Sequence, residues 1–241
     1  MRRRRPGGRR PVRGLQLDVG HPTGAPHLGW LDAAAVTACG GLVVLLAARL
    51  TGLTALDALL LLPAALAGYL LADLASGLVH WFFDRFLDEA APVIGPALVR
   101  PFREHHRDPR AMTRHGVLEL TGNSCLGLLP LLAAAVWLGP GAGPAAAVAY
   151  GTLLSFALAV VATNVAHAWA HAATVPAPVA WLQRRRLILP PDAHAAHHGP
   201  AADRAYCVTT GWANALTDGL GVFRRLERAL LRLGVPPALD A

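Results

Sequence analysis

Nine histidines and one aspartate stand at spacings that suit metal ligation. His80 precedes Asp84 by four residues in HWFFD. His105 and His106 are adjacent in FREHHRD, and His115 follows nine residues after His106. His167 and His171 are four apart in HAWAH, and His194, His197 and His198 form HAAHH. Residues three or four apart share a helix face, so His80 with Asp84, His167 with His171, and His194 with His197 or His198 can each point one way. Neighbours such as His105 and His106 diverge by about 100° on a helix, which lets them serve two different ions. A tetrahedral zinc takes about four protein ligands at most, and the candidates exceed that about twofold. Two ions are the economical reading. Imidazole suits iron, zinc, copper and nickel alike. The chain has no HExxH, which argues against a zincin-type protease. A di-iron centre fits best, because oxidation of an unactivated C–H bond by dioxygen is chemistry that side chains do not supply. No catalytic side chain stands out beyond the metal ligands. A metal sensor or carrier is the non-enzymatic alternative.

Those residues need a scaffold, and the composition says which kind. Of 241 residues, 54% are apolar and 15% charged, too apolar for an ordinary soluble fold. Leu31–Leu50 is long enough to cross a bilayer, which takes about 20 residues. A second run starts near Leu53 and continues with helical character through ADLASGLVHWFFDRF, so its end should reach the membrane surface with His80 and Asp84. The third, Leu126–Leu138, is short and contains Pro130; a partial crossing would explain it. The fourth, Ala145–Ala166, ends in TNVAHAWAH. The expected fold is an all-α integral membrane protein with about four transmembrane helices and a cytoplasmic histidine-rich cap.

Charge orients it. Every basic residue is arginine. The connections after the first and third runs carry no charge, whereas the second-to-third connection holds Arg100, Arg103, Arg107, Arg110 and Arg114. The cytoplasmic bias of arginine then places both termini and every grouped histidine inside. Ligands beyond the span ends, rather than at mid-membrane, count against a transport pathway. The arginines track the spans and do not form a nucleic-acid surface. Residues 1–29 read as a disordered basic arm, 30–222 as the membrane domain, and 223–241 as an amphipathic tail that lies on the membrane or packs on the cap. His21 and His27 fall in the arm and are not expected to be ligands. Cys39, Cys125 and Cys207 read as small buried residues. Trp81, Trp169, Trp181 and Trp212 suit an interfacial belt, and Trp81 and Trp169 could line a substrate channel. Glu104 can orient a neighbouring imidazole through a hydrogen bond. Arg184, Arg185 and Arg186 can hold a lipid phosphate or simply mark the inner face. The Ala/Arg bias fits a GC-rich bacterial gene, hence a bacterial cytoplasmic membrane.

SGLVHWFFD, RPFREHHRDPRAMTRHG, TNVAHAWAH, ILPPDAHAAHH and YCVTTGWAN resemble the Kua/CarF lipid desaturase family, in order and number, from about Asp73 to Asp218. The resemblance implies a membrane enzyme with two iron ions and O2 as co-substrate. It also implies an electron donor, cytochrome b5 or ferredoxin-like, with its reductase. It carries the ligand role onto His80, His105, His106, His115, His167, His171, His194, His197 and His198, matches Asp84 to the family carboxylate, and suggests Asn164 as holder of a metal-bound water. Ala193 stands where some relatives have a further histidine. REHHRDPRAMTRH followed by LELTGNSC is most similar to the plasmalogen-forming branch. That branch turns an alkyl ether phospholipid into its vinyl ether. Two alternatives are an acyl-lipid desaturase acting near the carboxyl end of a phosphatidylglycerol fatty acid, and a di-iron lipid hydroxylase.

Overall fold

The computed structural model describes residues 29–238, except 52, 93–94, 140 and 200–202. The basic arm, with His21 and His27, lies outside the described residues. Those described are mostly helical, with no strand among them. Four helices are long and apolar enough to cross a membrane: α1 (Gly29–Ala48), α2 (Ala55–Phe86), α4 (Val117–Leu138) and α5 (Pro144–His171). Shorter helices complete the chain: α3 (Arg100–Arg107), α6 (Ala177–Arg184), α7 (Pro191–Ala195), α8 (Asn214–Gly219) and α9 (Val222–Arg232).

A reciprocal cap starts α2. The Thr54 hydroxyl accepts from the Asp57 amide, and the Asp57 carboxylate accepts from the Thr54 amide at 3.0 Å; each satisfies a donor the first turn would leave unpaired. The 32 residues of α2 then run about 48 Å, well past the hydrocarbon thickness of about 30 Å. The third crossing is longer than its apolar run suggests. α4 begins at Val117 because its polar first turns find internal partners: Thr121 donates to the Val117 carbonyl at 2.8 Å, and the Leu120 carbonyl accepts from the Asn164 amide of α5 at 3.0 Å. Pro130 sits within a helix of 22 residues, long enough for a full crossing.

The four long helices pair in parallel. α2 lies along α5, where Gly68 lets the backbones meet; a Cβ there would stand 2.1 Å from the Thr152 carbonyl oxygen. Ser155 donates to the Ala65 carbonyl at 2.6 Å across the same contact. Small residues and interhelical hydrogen bonds are what hold helices together where lipid removes the hydrophobic drive. α1 lies along α4, tied at the far end by Arg49 to the Val136 carbonyl at 3.2 Å. Leu46, Leu132, Tyr150 and Ala157 fill the centre, while Val44, Leu59, Leu62 and Leu66 point outward, exposed. Exposed leucines on a spanning helix are satisfied by lipid, and the molecule is an integral membrane protein.

The parallel pairing puts the C-terminal ends of α2 and α5 side by side, and the remaining helices fold over that end. In the tail, α9 packs on the cap. Phe223 is buried between Trp81 and Tyr206, Arg85 pairs with Glu227 at 2.7 Å, and the Ala238 amide donates to the Arg85 carbonyl. Leu231 and Leu233 remain exposed. The three cysteines are free and buried.

Candidate metal centre

At 1.5 Å per residue, His80 lies about 38 Å along α2 from Ala55, and His167 about 35 Å along α5 from Pro144. Both exceed the hydrocarbon slab by several ångströms, so both sit at one membrane face. α3 brings His105 and His106 to the same place, and α7 with the turn after it brings His194, His197 and His198.

The rings divide into two sets. In the first, the ligand-capable nitrogens of His80, His105, His106 and His197 lie within 4.8 Å of one another. Asp84 completes it: its Oδ2 is 3.0 Å from His106 Nε2 and 3.3 Å from the Nε2 of both His80 and His197. In the second, His105, His167, His194 and His198 meet within the same distance. His171 joins them, its Nε2 3.0 Å from that of His194 and 3.3 Å from that of His167. His105 belongs to both sets, with ring centroids 5.2 Å from His80 and 5.0 Å from His167.

Nitrogens that face each other this closely need something between them. The Nε2 atoms of His167, His171 and His194 stand pairwise 2.8, 3.0 and 3.3 Å apart, and His198 Nε2 is 2.9 Å from that of His194. A neutral imidazole nitrogen carries at most one proton and can aim it at one neighbour, so hydrogen bonds do not satisfy the triangle. Added protons are disfavoured too. Burial, then the positive charge that neighbouring imidazoles would carry, holds His105 and His194 well below the ordinary histidine range and pushes His198 down to about 3. A cation does satisfy it. Ligand bonds of about 2.1 Å at right angles separate two nitrogens by about 3.0 Å, which is the spacing found. A buried nitrogen without a partner agrees: His105 Nε2, between the two sets.

Two rings of the first set are held from behind. His80 Nδ1 is 3.2 Å from the Tyr206 carbonyl and His197 Nδ1 is 2.9 Å from the Arg204 carbonyl. A carbonyl only accepts, so each Nδ1 carries the proton and each Nε2 lone pair is left for a metal. A pH dependence follows for the metal-free protein. The folded form holds His105, His194 and His198 below the ordinary value of 6.5, so the unfolded chain binds more protons as pH falls through that value. Stability must therefore drop on acidification from about pH 7.5 to about 5.5. Thermal melts of metal-free protein in detergent should show the midpoint falling across that window; a flat midpoint would contradict the burial of these rings as neutral bases.

Not every anticipated ligand joins the two sets. His115 Nδ1 lies 2.6 Å from Glu119 Oε1, one turn along at the start of α4. Asn164 spends its amide on α4, donating to the Leu120 carbonyl and to Ser124 Oγ at 3.4 Å. Glu104 is half-buried on α3. Arg184, Arg185 and Arg186 are exposed at the end of α6; Arg186 pairs with Asp192 at 2.7 Å and Arg185 lies over the Trp181 ring. Trp81 is buried against Phe86 and Phe223, whereas Trp181 and Trp212 are exposed.

Residues that ligand spacing did not flag also build the site. Tyr206 is buried with its ring 4.8 Å from that of His197. Asp73 is fully buried on α2 beneath the centre. The available signal was a carboxylate within an apolar span, which is costly without partners. Below the cap, an apolar groove of about 520 Å³ opens between α2 and α5, lined by Leu61, Ala65, Tyr69, Leu154 and Leu158 among others. Tyr69 closes its upper end, donating to the Leu187 carbonyl beside the three arginines.

Comparison with known proteins places this arrangement. A family model described as a lipid desaturase domain matches residues 69–239. The plasmanylethanolamine desaturase of Myxococcus xanthus is 42% identical over 86% of this chain and 73% of its own. Plasmanylethanolamine desaturase 1 of Mus musculus is 38% identical over 75% of this chain and 69% of its own. The chloroplastic fatty acid desaturase 4 of Arabidopsis thaliana is 34% identical over 88% of this chain and 64% of its own. No solved structure matches. The matched region holds both histidine sets, Asp84 and the segment behind them, and the chain belongs to the lipid desaturase family.

Proposed function

We propose that this membrane lipid desaturase acts on alkyl ether phospholipids and introduces the vinyl ether double bond between carbons 1 and 2 of the alkyl chain. Two irons, one in each histidine set, would activate dioxygen for that oxidation. The observation that carries the reading is the pair of histidine sets joined through His105 at one end of four apolar helices, together with the plasmanylethanolamine desaturases to which the chain is similar.

The side chains hold the metals. His80, His105, His106, His197 and Asp84 would bind the first ion, and His167, His171, His194 and His198 the second, with His105 shared. His115 falls outside this ligand assignment. The carboxylate of Asp84 supplies negative charge to the first set only. His80, His105, His194 and His197 are no more than 1% exposed, whereas His106, His171 and His198 are half-buried. The groove between α2 and α5 has the volume and lining to seat a hydrocarbon chain, and Arg184, Arg185 and Arg186 would meet the phosphate above it. Removing two hydrogens supplies two electrons and reducing dioxygen to water takes four. A cytochrome b5 or ferredoxin-like donor with its reductase supplies the other two.

Arg100, Arg103, Arg107, Arg110 and Arg114 connect α2 to α4 at the histidine end. The cytoplasmic preference of arginine makes that end the inner face of a four-crossing protein in a bacterial cytoplasmic membrane, with both termini inside and the site within reach of a soluble donor. Expression in a host that lacks plasmalogens, fed an alkyl ether lipid, should produce phospholipid that releases fatty aldehyde on acid treatment. A new double bond in a phosphatidylglycerol acyl chain, with no acid-labile lipid, would favour the activity named for the Arabidopsis relative. A hydroxylated lipid would point to an oxygenase.

A further inference from the structure

We propose that Asp73 is a positioning residue for one metal of the pair: a buried carboxylate that sets the segment whose carbonyls orient two rings of the first histidine set. The inference rests on the two-ion reading above.

Asp73 is 0% exposed, and its oxygens accept four backbone N–H groups from one turn. Oδ1 takes those of Thr209, Thr210 and Gly211 at 3.1, 2.8 and 3.0 Å, and Oδ2 takes that of Ala213 at 2.9 Å. A carboxylate so placed organises the turn as an anion-binding nest does, with the anion supplied by the neighbouring helix. Gly211 has φ of 79°, the left-handed conformation that aims successive amides inward.

The same helix grips the residues just before the turn. Ser76 Oγ accepts from the Val208 amide at 3.0 Å, and Gly77 makes room for Cys207; a Cβ at Gly77 would lie 2.5 Å from Cys207 Sγ. Segment 204–208 is therefore held against α2, and from it come the two carbonyls that fix Nδ1 of His80 and His197. Both rings belong to the first set and both face Asp84. In the second set, His194 Nδ1 is buried with no partner, and the turn reaches that set through the backbone instead: the Thr209 carbonyl accepts from the Leu189 amide at 2.9 Å, just ahead of α7, and Val208 packs with Leu189 and Ala170. Shifting the segment should free two rings of the first set to rotate or change tautomer, and disturb the second set less. Losing hydrogen bonds behind metal-bound imidazoles typically costs about 10–100-fold in metal affinity.

The test uses full-length protein in detergent, loaded with ferrous iron. Iron per chain and its release to a chelator are measured for wild type, Asp73→Asn and Gly77→Ala. Asparagine keeps the shape but puts a second donor against the Ala213 amide or removes an acceptor. Gly77→Ala displaces Cys207 without altering Asp73. His167→Ala marks the release phase of the second set. Asp73→Asn and Gly77→Ala should each release the first-set iron at least about tenfold faster than wild type, and the second-set iron with a clearly smaller acceleration. Wild-type retention of both irons, or loss of both in step, would overturn the assignment; the latter would mean only general weakening of the fold. Wild-type protein that never takes up more than one iron would instead sink the two-ion reading, and this assignment with it.

Discussion

Replacing Asp84 with asparagine should abolish lipid desaturation, with a loss on the order of hundredfold or more, while the helical fold persists. Asp84 Oδ2 faces the Nε2 atoms of His80, His106 and His197 at 3.0–3.3 Å, and its oxygens are the only anionic atoms among the nine residues of the two sets. Asparagine retains the shape and removes the charge, and its NH2 cannot act as a ligand. Iron bound to the first set should fall with activity while the second set stays loaded, which iron analysis beside the lipid assay would reveal. An Asp84→Asn protein with full iron and full activity would remove the carboxylate from the centre.

His105→Ala and His115→Ala should differ as widely as two neighbouring substitutions can. His105 is 1% exposed, its Nε2 is buried without a partner, and its ring stands between the two sets. Removing it takes a ligand-capable ring from both and opens a buried hole between them, so neither iron should be retained at the wild-type level. His115 is engaged with Glu119, so His115→Ala should keep both irons. If that variant loses an iron while His105→Ala keeps two, the division of the rings is wrong. If it keeps both irons yet loses activity, His115 serves the reaction from outside the ligand set.

The reach of sequence reasoning is visible in these two residues. His105 and His115 belong to one short polar stretch, and nothing in their type or spacing separates them. The fold does: α3 turns His105 inward, while His115 leaves the 3-10 turn at Ala111–Arg114 and meets the first turn of α4. The length of α4 was hidden for a related reason. Hydropathy marks only its apolar stretch, whereas the helix extends through ELTGNSC because α5 supplies the Asn164 amide.

Local chemistry in the chain determined the four apolar crossings, the excess of arginine at one end, and the i, i+4 pairs His80–Asp84 and His167–His171. Each depends on residues within a few turns of one another, where the helical period and the cost of burying charge operate directly. Tertiary packing decided how nine side chains divide between two sites and which carbonyls stand behind them. His106 meets Asp84 across 22 residues, His197 meets His106 across 91, and His80 meets the Tyr206 carbonyl across 126. Those meetings arise because Gly68 lets α2 lie parallel to α5 and because Asp73 draws the returning chain down onto α2, and no periodicity along the sequence encodes which distant faces will touch.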